Sequence, residues 1–577
     1  MKLIDSPKYR KDIDGLRALA VIPVLLFHFG YLSNGYLGVD IFFAVSGYLI
    51  TGIIYREVQK DSFSIVDFYI RRTRRIIPLV SFICLFSLFL GICVMLPDDL
   101  ENLAQSIIAT NFFGNNILQI LTTKNYWDVV NEFKPLMHTW SLGIEEQYYL
   151  IYPFIFLGLG KKRKNLILPI LILLTIVSLV FYFSDSPEYK KFYLLQYRFF
   201  ELSIGGIAAI LLNGKILKHK LGLIPILLLI SLLIFNNEFM PQYLEIILCV
   251  MLTTFILSSD NMNQKILNNP LAVFVGKISF SLYMWHQVIL AFSRYFILNE
   301  LDIPSLIILS IIIFLFSYLT YKFIEQPFRN KQKLSLRTAL LSVAFAFILT
   351  SGVSYFIFQK AGVLKDIPEL GIEKESAQRN MHAKYNDRIY SFDKEFPNNE
   401  KTKILILGNS FARDWANVLM ESSSAESISI SYIYYSPEEY PQPNNRFLAA
   451  DIIFFNNASY DISHFDSAIH NKLWFIGSKN FGINNGIFYN YLGDNYCQQR
   501  TSMEEGIYES NLKLKKKWGA RYISLIDPII DRSKTVPVFT PDCKFISQDC
   551  RHYTKSGSIY MAKTLEKQIQ AILNSVN

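Results

Sequence analysis

The sequence predicts a polytopic α-helical membrane bundle followed by a soluble three-layer α/β domain. Three observations carry that prediction. Up to about residue 358, apolar runs recur that are each near the ~20 residues needed to cross a hydrocarbon core. Beyond about residue 400 the apolar runs shorten to strand length and charge returns. The overall composition, 51% hydrophobic and 18% charged over 577 residues, averages two such halves. It excludes a disordered or collagen-like chain and argues against a wholly soluble one. The net charge of +9 suits either a nucleic acid or a membrane until its distribution is read.

The spans fall at 17–32, 38–55, 77–96, 143–159, 165–183, 199–213, 221–236, 242–258, 278–298 and 304–324, with one more at 338–358. This ten-plus-one pattern gives a membrane domain over 10–330, an additional transmembrane helix over 338–358, a polar linker over 359–400 and a soluble domain over 401–575. The stretch 101–121 is apolar but interrupted by Asn102, Gln105, Asn111, Asn115 and Asn116, and it reads as interfacial. The first apolar run lacks a small-residue cleavage site, so no cleavable signal peptide is expected. With the N-terminus in the cytoplasm, the inner segments hold Lys8, Arg10 and Lys11; Arg56, Lys60, Arg71, Arg72, Arg74 and Arg75; Lys161, Lys162, Arg163 and Lys164; Lys215, Lys218 and Lys220; and Lys322, Arg329, Lys331, Lys333 and Arg337. With a few further basic residues near the same segments, roughly 24 lie inside against about 5 outside, a strong positive-inside bias. An odd number of spans exports the C-terminal domain. The positive charge is an address for the bilayer, and no nucleic acid partner is expected.

An ionisable group inside a span is costly and by default marks a functional site. Arg17 and His28 are eleven residues apart, on one helix face and about 16 Å from each other. Arg17 lies near the cytoplasmic end, and His28 lies deep in the membrane or near its outer side. The structural alternatives are an Arg17 that snorkels to headgroups and a His28 that caps a neighbouring carbonyl. Arg71, Arg72, Arg74 and Arg75 precede the third span. They can be a topogenic signal, or their guanidinium forks can hold the phosphates of a cytoplasmic donor. His138 and Glu145 are seven residues apart, which would set a proton-handling pair on one helix face. Arg198 and Glu201 read as a structural ion pair, and Glu325 and Arg329 as an interfacial anchor. His286 suits function and helix packing equally.

After the linker, an apolar strand from Thr402 ends in Gly408-Asn409-Ser410. Such a strand puts the Ser410 hydroxyl at its carboxyl end, where open α/β sheets hold ligands. Further strands are expected at 428–434, 451–455, 473–476 and 522–526, and a closing helix at about 556–573. Asp549 and His552 are three residues apart on a turn, so Asp549 can orient His552 while the other ring nitrogen takes the Ser410 proton. Cys84, Cys93 and Cys249 fall in spans and read as packing. Cys497, Cys543 and Cys550 fall in the exported domain, where at most one internal bridge can form and its pairing is open. There is no zinc spacing, Walker loop or dinucleotide fingerprint, so no tightly bound metal or cofactor is expected.

The segments DGLRALAV, GYLGVDIFFAVSGYLIT, RRTRRIIP, HTWSLGIEEQYYLIYP, ISFSLYMWH and IEQPFR, in that order over roughly 10–330, resemble the acyltransferase-3 family of membrane proteins. The resemblance implies that an acyl group, usually acetyl from cytoplasmic acetyl-CoA, passes through the membrane domain to an extracytoplasmic sugar. It implies essential intramembrane roles for Arg17 and His28, a donor-binding Arg-x-x-Arg element at Arg72 and Arg75, and a catalytic Glu145. The stretch 402–574, with Ser410, Asp549 and His552 in that order, resembles the SGNH hydrolase and esterase family in the form fused to acyltransferase-3 domains. Asn409 stands where that family commonly has Asp, and the family's Gly-x-Asn-Asp block is absent. Asn456 is the nearest substitute as an oxyanion donor, with Gly477 and Gly482 as backbone candidates for a second.

These readings describe an O-acetyltransferase of the bacterial inner membrane, acting from acetyl-CoA on an envelope glycan such as lipopolysaccharide O-antigen. Capsule, another exopolysaccharide and peptidoglycan are alternative acceptors. Two readings lie outside that class: a membrane-anchored glycan esterase, and a solute or glycan exporter with an α/β binding module.

Overall fold

The computed structural model describes residues 2–5, 9–122, 131–159, 165–218, 221, 223–235, 240–260, 266–296, 302–379, 381–435, 445–457, 465, 467–491 and 493–575. Lys8, Lys161, Lys162, Arg163, Lys164 and Lys220, which contribute to the predicted orientation, lie outside the described residues. The chain forms two compact units. One comprises Met1–Leu90, Leu103–Asn125 and Asn131–Tyr355, and the other Gly91–Asn102, Tyr126–Val130 and Phe356–Asn577.

Every predicted span coincides with a helix. In chain order the helices are α1 (Lys11–His28), α2 (Gly38–Gln59), α3 (Ile65–Val94), α4 (Pro97–Asn111), α5 (Asn115–Thr122), α6 (Thr139–Leu159), α7 (Ile167–Tyr182), α8 (Leu195–Leu212), α9 (Ile224–Ile234), α10 (Gln242–Ser258), α11 (Pro270–Ser293), α12 (Ile303–Arg329) and α13 (Leu336–Gln359). Among the described residues, six helices are long and apolar enough to cross a bilayer: α2 with its preceding turn, α3, α8, α11, α12 and α13. Helices α7, α9 and α10 are apolar but shorter. The stretch expected to be interfacial forms helices α4 and α5. Asn111, Asn115 and Asn116 are buried, whereas Asn102 and Gln105 are half-buried: the Asn115 amide donates to Leu136 O at 2.8 Å and Thr139 Oγ1 at 2.7 Å, and that of Asn116 to Tyr193 O at 2.9 Å.

Helices approach closely where side chains are smallest. A Cβ added to Gly47 of α2 would lie 1.8 Å from the carbonyl oxygen of Leu202 in α8. One added to Gly276 of α11 would lie 1.8 Å from that of Asp14 in α1. Backbone cannot yield as a flexible side chain can. Gly47→Ala is therefore expected to cost about 1–3 kcal/mol through overpacking, read as a lower unfolding midpoint in detergent. Gly352→Ala, where an added Cβ meets nothing within 4 Å, serves as the control and is expected not to lower the midpoint.

In the second unit β1 (Thr402–Gly408), β2 (Ile428–Tyr434), β3 (Ile452–Phe455), β4 (Leu473–Ile476) and β5 (Tyr522–Ile523) form a parallel sheet in the order β2-β1-β3-β4-β5. Alternation along β1 sends Ile404 and Ile406 to one core with α14 (Ser410–Met420) and the closing helix Lys555–Asn574. Leu405 and Leu407 go to the other core, which Leu514 and Trp518 of Ile507–Trp518 cover. The result is a three-layer α/β arrangement. Strand β5 stops at Ile523, short of the expected 526.

The expected linker is partly domain. Ile389 is fully buried in the α14 core, and Arg388 pairs with Glu421 at 2.8 Å, so the α/β fold takes in residues before 401. A disulfide joins Cys497 to Cys543, and Cys550 is a buried free thiol.

Candidate active sites

Helices α1, α2, α3, α6 and α11 enclose a cavity of about 200 Å³ whose polar wall includes Arg17, Arg72, Arg75, Glu145, Ser46, Ser141, Tyr149 and Tyr283. The i, i+3 spacing carries Arg72 and Arg75 to one face of α3. Their neighbours serve the fold. Arg71 pairs with Glu57 at 3.0 Å, and the buried Arg74 donates to the carbonyls of Phe328, Asn330 and Leu334. The Arg72 guanidinium lies 5.6 Å from the centre of the Tyr149 ring. Glu145 accepts from Ser46 Oγ at 2.9 Å and from Tyr149 Oη at 3.1 Å. Three guanidinium groups around one carboxylate suit a polyphosphate.

His28 stands outside this wall, in a cluster of three histidines. Its ring centre is 4.9 Å from that of His286, which is 5.2 Å from that of His138. Among the described residues, no group of three His, Cys, Asp or Glu is arranged to hold a metal ion. Tyr283 joins the cluster to the cavity. Its ring is 5.4 Å from His286, while its hydroxyl donates to His138 O at 2.8 Å and lies 2.6 Å from Ser141 Oγ. His286 Nδ1 donates to Tyr283 O at 2.5 Å, which leaves its Nε2 as the acceptor.

The expected His138–Glu145 pair does not form. Helix α6 begins at Thr139, so His138 sits on the turn before it and the two-turn spacing does not apply. Arg198 is a structural ion, 2.6 Å from Glu201 and 2.8 Å from Asp40. Glu325 is buried. It pairs with Arg329 at 2.5 Å and accepts from Ser281.

The α/β unit holds the second site. Gly408 has φ +140°, which turns β1 sharply into α14. Asn409 caps that helix by accepting the Phe411 amide at 2.9 Å, and Tyr432 Oη donates to Gly408 O at 3.0 Å. Ser410 is thereby held at the carboxyl end of β1, beside the point where the strand order reverses. His552 Nε2 lies 2.9 Å from Ser410 Oγ, and His552 Nδ1 lies 2.5 Å from Asp549 Oδ2. Asp549 Oδ1 accepts the amides of His552 at 2.7 Å and Arg551 at 3.0 Å. Burial alone would raise the Asp549 carboxyl pKa, but His552 and these amides outweigh it and hold it well below the usual range. An ionised Asp549 keeps the proton on His552 Nδ1, which leaves Nε2 free to receive the serine proton.

The oxyanion candidates separate. Asn456 follows the neighbouring strand β3 and sits against Gly408, where an added Cβ would meet its Cβ at 3.0 Å; its Nδ2 donates one hydrogen to Ile476 O at 3.4 Å and has a second to offer. Gly477 is corrected: its amide donates to Ile523 O at 2.9 Å, continuing the sheet ladder, and so cannot meet an oxyanion. The Gly482 amide is likewise engaged, by Asn480 Oδ1 at 3.0 Å. Sequence reasoning missed Ser46, Tyr149 and Tyr283. Tyr149 lies one turn from Glu145 and was within reach of an i, i+4 argument, whereas Ser46 and Tyr283 arrive from other helices.

The family model described as an acyltransferase domain, Acyl_transf_3, matches residues 10–322. The chain belongs to the acyltransferase-3 family. With its apolar helices, this acyltransferase is a multi-pass membrane protein. It is 30% identical over 422 residues to "Putative O-acetyltransferase SAR0937" of Staphylococcus aureus (strain MRSA252), covering 67% of this chain and 69% of that protein. It is also 30% identical over 359 residues to "O-acetyltransferase OatA" of Staphylococcus aureus (strain NCTC 8325 / PS 47), covering 56% of this chain and 58% of the relative. No solved structure matches the chain.

Proposed function

We propose that this acyltransferase moves an acetyl group from cytoplasmic acetyl-CoA to a hydroxyl of an extracytoplasmic envelope glycan. The observation that carries the reading is the Ser410–His552–Asp549 hydrogen-bond chain, in an α/β unit that follows an acyltransferase domain with an arginine-lined cavity. Arg72, Arg75 and Arg17 pair with the donor phosphates, and Glu145 orders that cavity through Ser46 and Tyr149. His28 acts on the thioester as general base or transient acyl carrier. In the α/β unit, of SGNH type, Ser410 Oγ attacks the acyl carbonyl and its proton passes to His552 Nε2, which returns it to the leaving group. Asn456 donates to the oxyanion. A sugar hydroxyl then gives its proton to His552 and attacks the acyl carbonyl; the bond to Ser410 Oγ breaks and His552 returns the proton to that oxygen.

The proposed topology has eleven spans in the inner membrane, a cytoplasmic N-terminus and an exported α/β unit. The inner basic segments support it, and so does the Cys497–Cys543 disulfide, a bond that persists in oxidising compartments. The names of the staphylococcal relatives support acetyl as the acyl group. Deletion of the gene, followed by mass analysis of lipopolysaccharide O-antigen, capsule, exopolysaccharide and peptidoglycan, tests the reading. Acetyl content is expected to fall to background in one fraction and return on complementation. Unchanged acetylation in all four overturns it.

A further inference from the structure

Beside the Ser410–His552–Asp549 chain lies a second, fully buried charge pair that the transfer chemistry leaves unused. Asp414 follows Ser410 by one turn of α14, so the two side chains leave the same helix face. Its Oδ2 accepts the amide of Tyr553, the residue after His552, at 3.0 Å. The same oxygen stands 2.8 Å from Lys479 Nζ, and the two side chains are 0% and 1% exposed. The Lys479 ammonium lies 3.9 Å from the Phe411 ring centre and 4.7 Å from that of Tyr553. The Phe411 ring in turn packs on His552 at 5.7 Å. Burial pushes the Lys479 pKa down, against the pull of Asp414 and Asp549.

Stability alone does not explain the pair, because well-packed apolar residues commonly hold a fold as well as a buried ion pair does. Its place in the fold does explain it. Asp414 ties the backbone at Tyr553 to the helix that begins with Ser410, which fixes His552 relative to the serine. Lys479 sets a positive charge where it acts on Asp549, the partner of His552.

We propose that Asp414 and Lys479 are positioning residues of the Ser410 centre, holding His552 against Ser410 Oγ through the Tyr553 amide and balancing one another's charge beside it. This rests on Ser410 being the nucleophile of the proposed transfer. Among the described residues, the charged groups of this centre include Asp549 and Arg551 on the loop of His552, with Glu504 3.5 Å from Arg551; Asp414 on α14, and Arg413 beside it, which pairs with Asp387 at 3.2 Å; Lys479 after β4; and Asp99, which acts on the neighbouring Cys550. The neighbouring Cys550 thiol is pushed up by burial and stays neutral.

Because the pair sums to zero, removing either member exposes the field of the other. Lys479→Met leaves a carboxylate that favours the imidazolium and moves the acid limb of Ser410 reactivity to higher pH. Asp414→Asn leaves Lys479 with Asp549 as the carboxylate that keeps it charged against burial, and that ammonium disfavours the imidazolium and moves the limb to lower pH.

The test is the rate at which Ser410 in the full-length, detergent-solubilised enzyme reacts with a fluorophosphonate across pH. In that reaction the O–P bond forms, P–F breaks, the serine proton goes to His552 and fluoride leaves, so no glycan is needed. Shifts of about 0.5–1 pH unit in opposite directions are expected for the two variants. Lys479→Arg is expected to restore the wild-type limb. Asp414→Asn and Lys479→Arg nearly conserve volume and keep the comparison available where Lys479→Met does not fold. Coincident limbs in proteins whose Ser410 still reacts overturn the inference, and an unreactive wild-type Ser410 overturns it together with the transfer reading. Shifted limbs, alongside glycan acetylation that survives loss of Ser410, overturn the transfer reading alone.

Discussion

Ser410→Ala is expected to lower acetyl transfer to the glycan by about a thousandfold or more, with the protein accumulating normally. Ser410 Oγ is the only atom of that side chain that can carry the acyl group, and His552 and Asp549 act through it. Loss of a nucleophile that works as a unit with its base commonly costs as much as loss of the whole set. The structural cost is small, because the substitution removes one hydroxyl and its bond to His552 at the mouth of the sheet. The measurement is incorporation of labelled acetyl from acetyl-CoA into purified envelope glycan by the enzyme in liposomes. Transfer at the wild-type rate would remove the α/β unit from the chemistry.

His28→Ala is expected to separate the two halves of the reaction. Acetyl-CoA-dependent glycan acetylation falls by about 10²–10³, the scale of a lost general base or covalent carrier. Fluorophosphonate labelling of Ser410 and hydrolysis of a small soluble acyl ester stay at wild-type rates, because His28 and Ser410 belong to different compact units. Full glycan acetylation in this variant would exclude His28 from donor handling. Simultaneous loss of ester hydrolysis would instead show that the substitution damages the fold of both units.

Much of this architecture is legible in the chain because it is local. The length of an apolar run decides whether a segment can span a bilayer, and all eleven runs became helices. Strand-length apolar runs at 428–434 and 473–476 became strands with those bounds. Asp549 and His552 met because three residues on a turn leave little freedom. Arg72 and Arg75 share a wall because three residues on a helix make one face.

The misreadings came where local spacing was trusted past the end of an element, or where an amide was taken as free. His138 is seven residues from Glu145, yet the helix begins after it. Asn115 and Asn116 interrupt the apolar run and are nonetheless buried, because Leu136, Thr139 and Tyr193 supply their hydrogen-bond partners. Gly477 seemed available and spends its amide on the sheet.

By itself the sequence determined a helical membrane half joined to an α/β half, and the identity of Ser410, His552 and Asp549. Hydrophobic length, strand alternation and short turns are properties of neighbouring residues, and they need no partner to be read. Only the tertiary structure decided that His28 keeps company with His138 and His286, that Tyr283 joins them to the arginine-lined cavity, and that Lys479 and Asp414 stand beside the serine centre. Those meetings join residues far apart in the chain, and a buried polar group is stable only beside partners that packing brings to it.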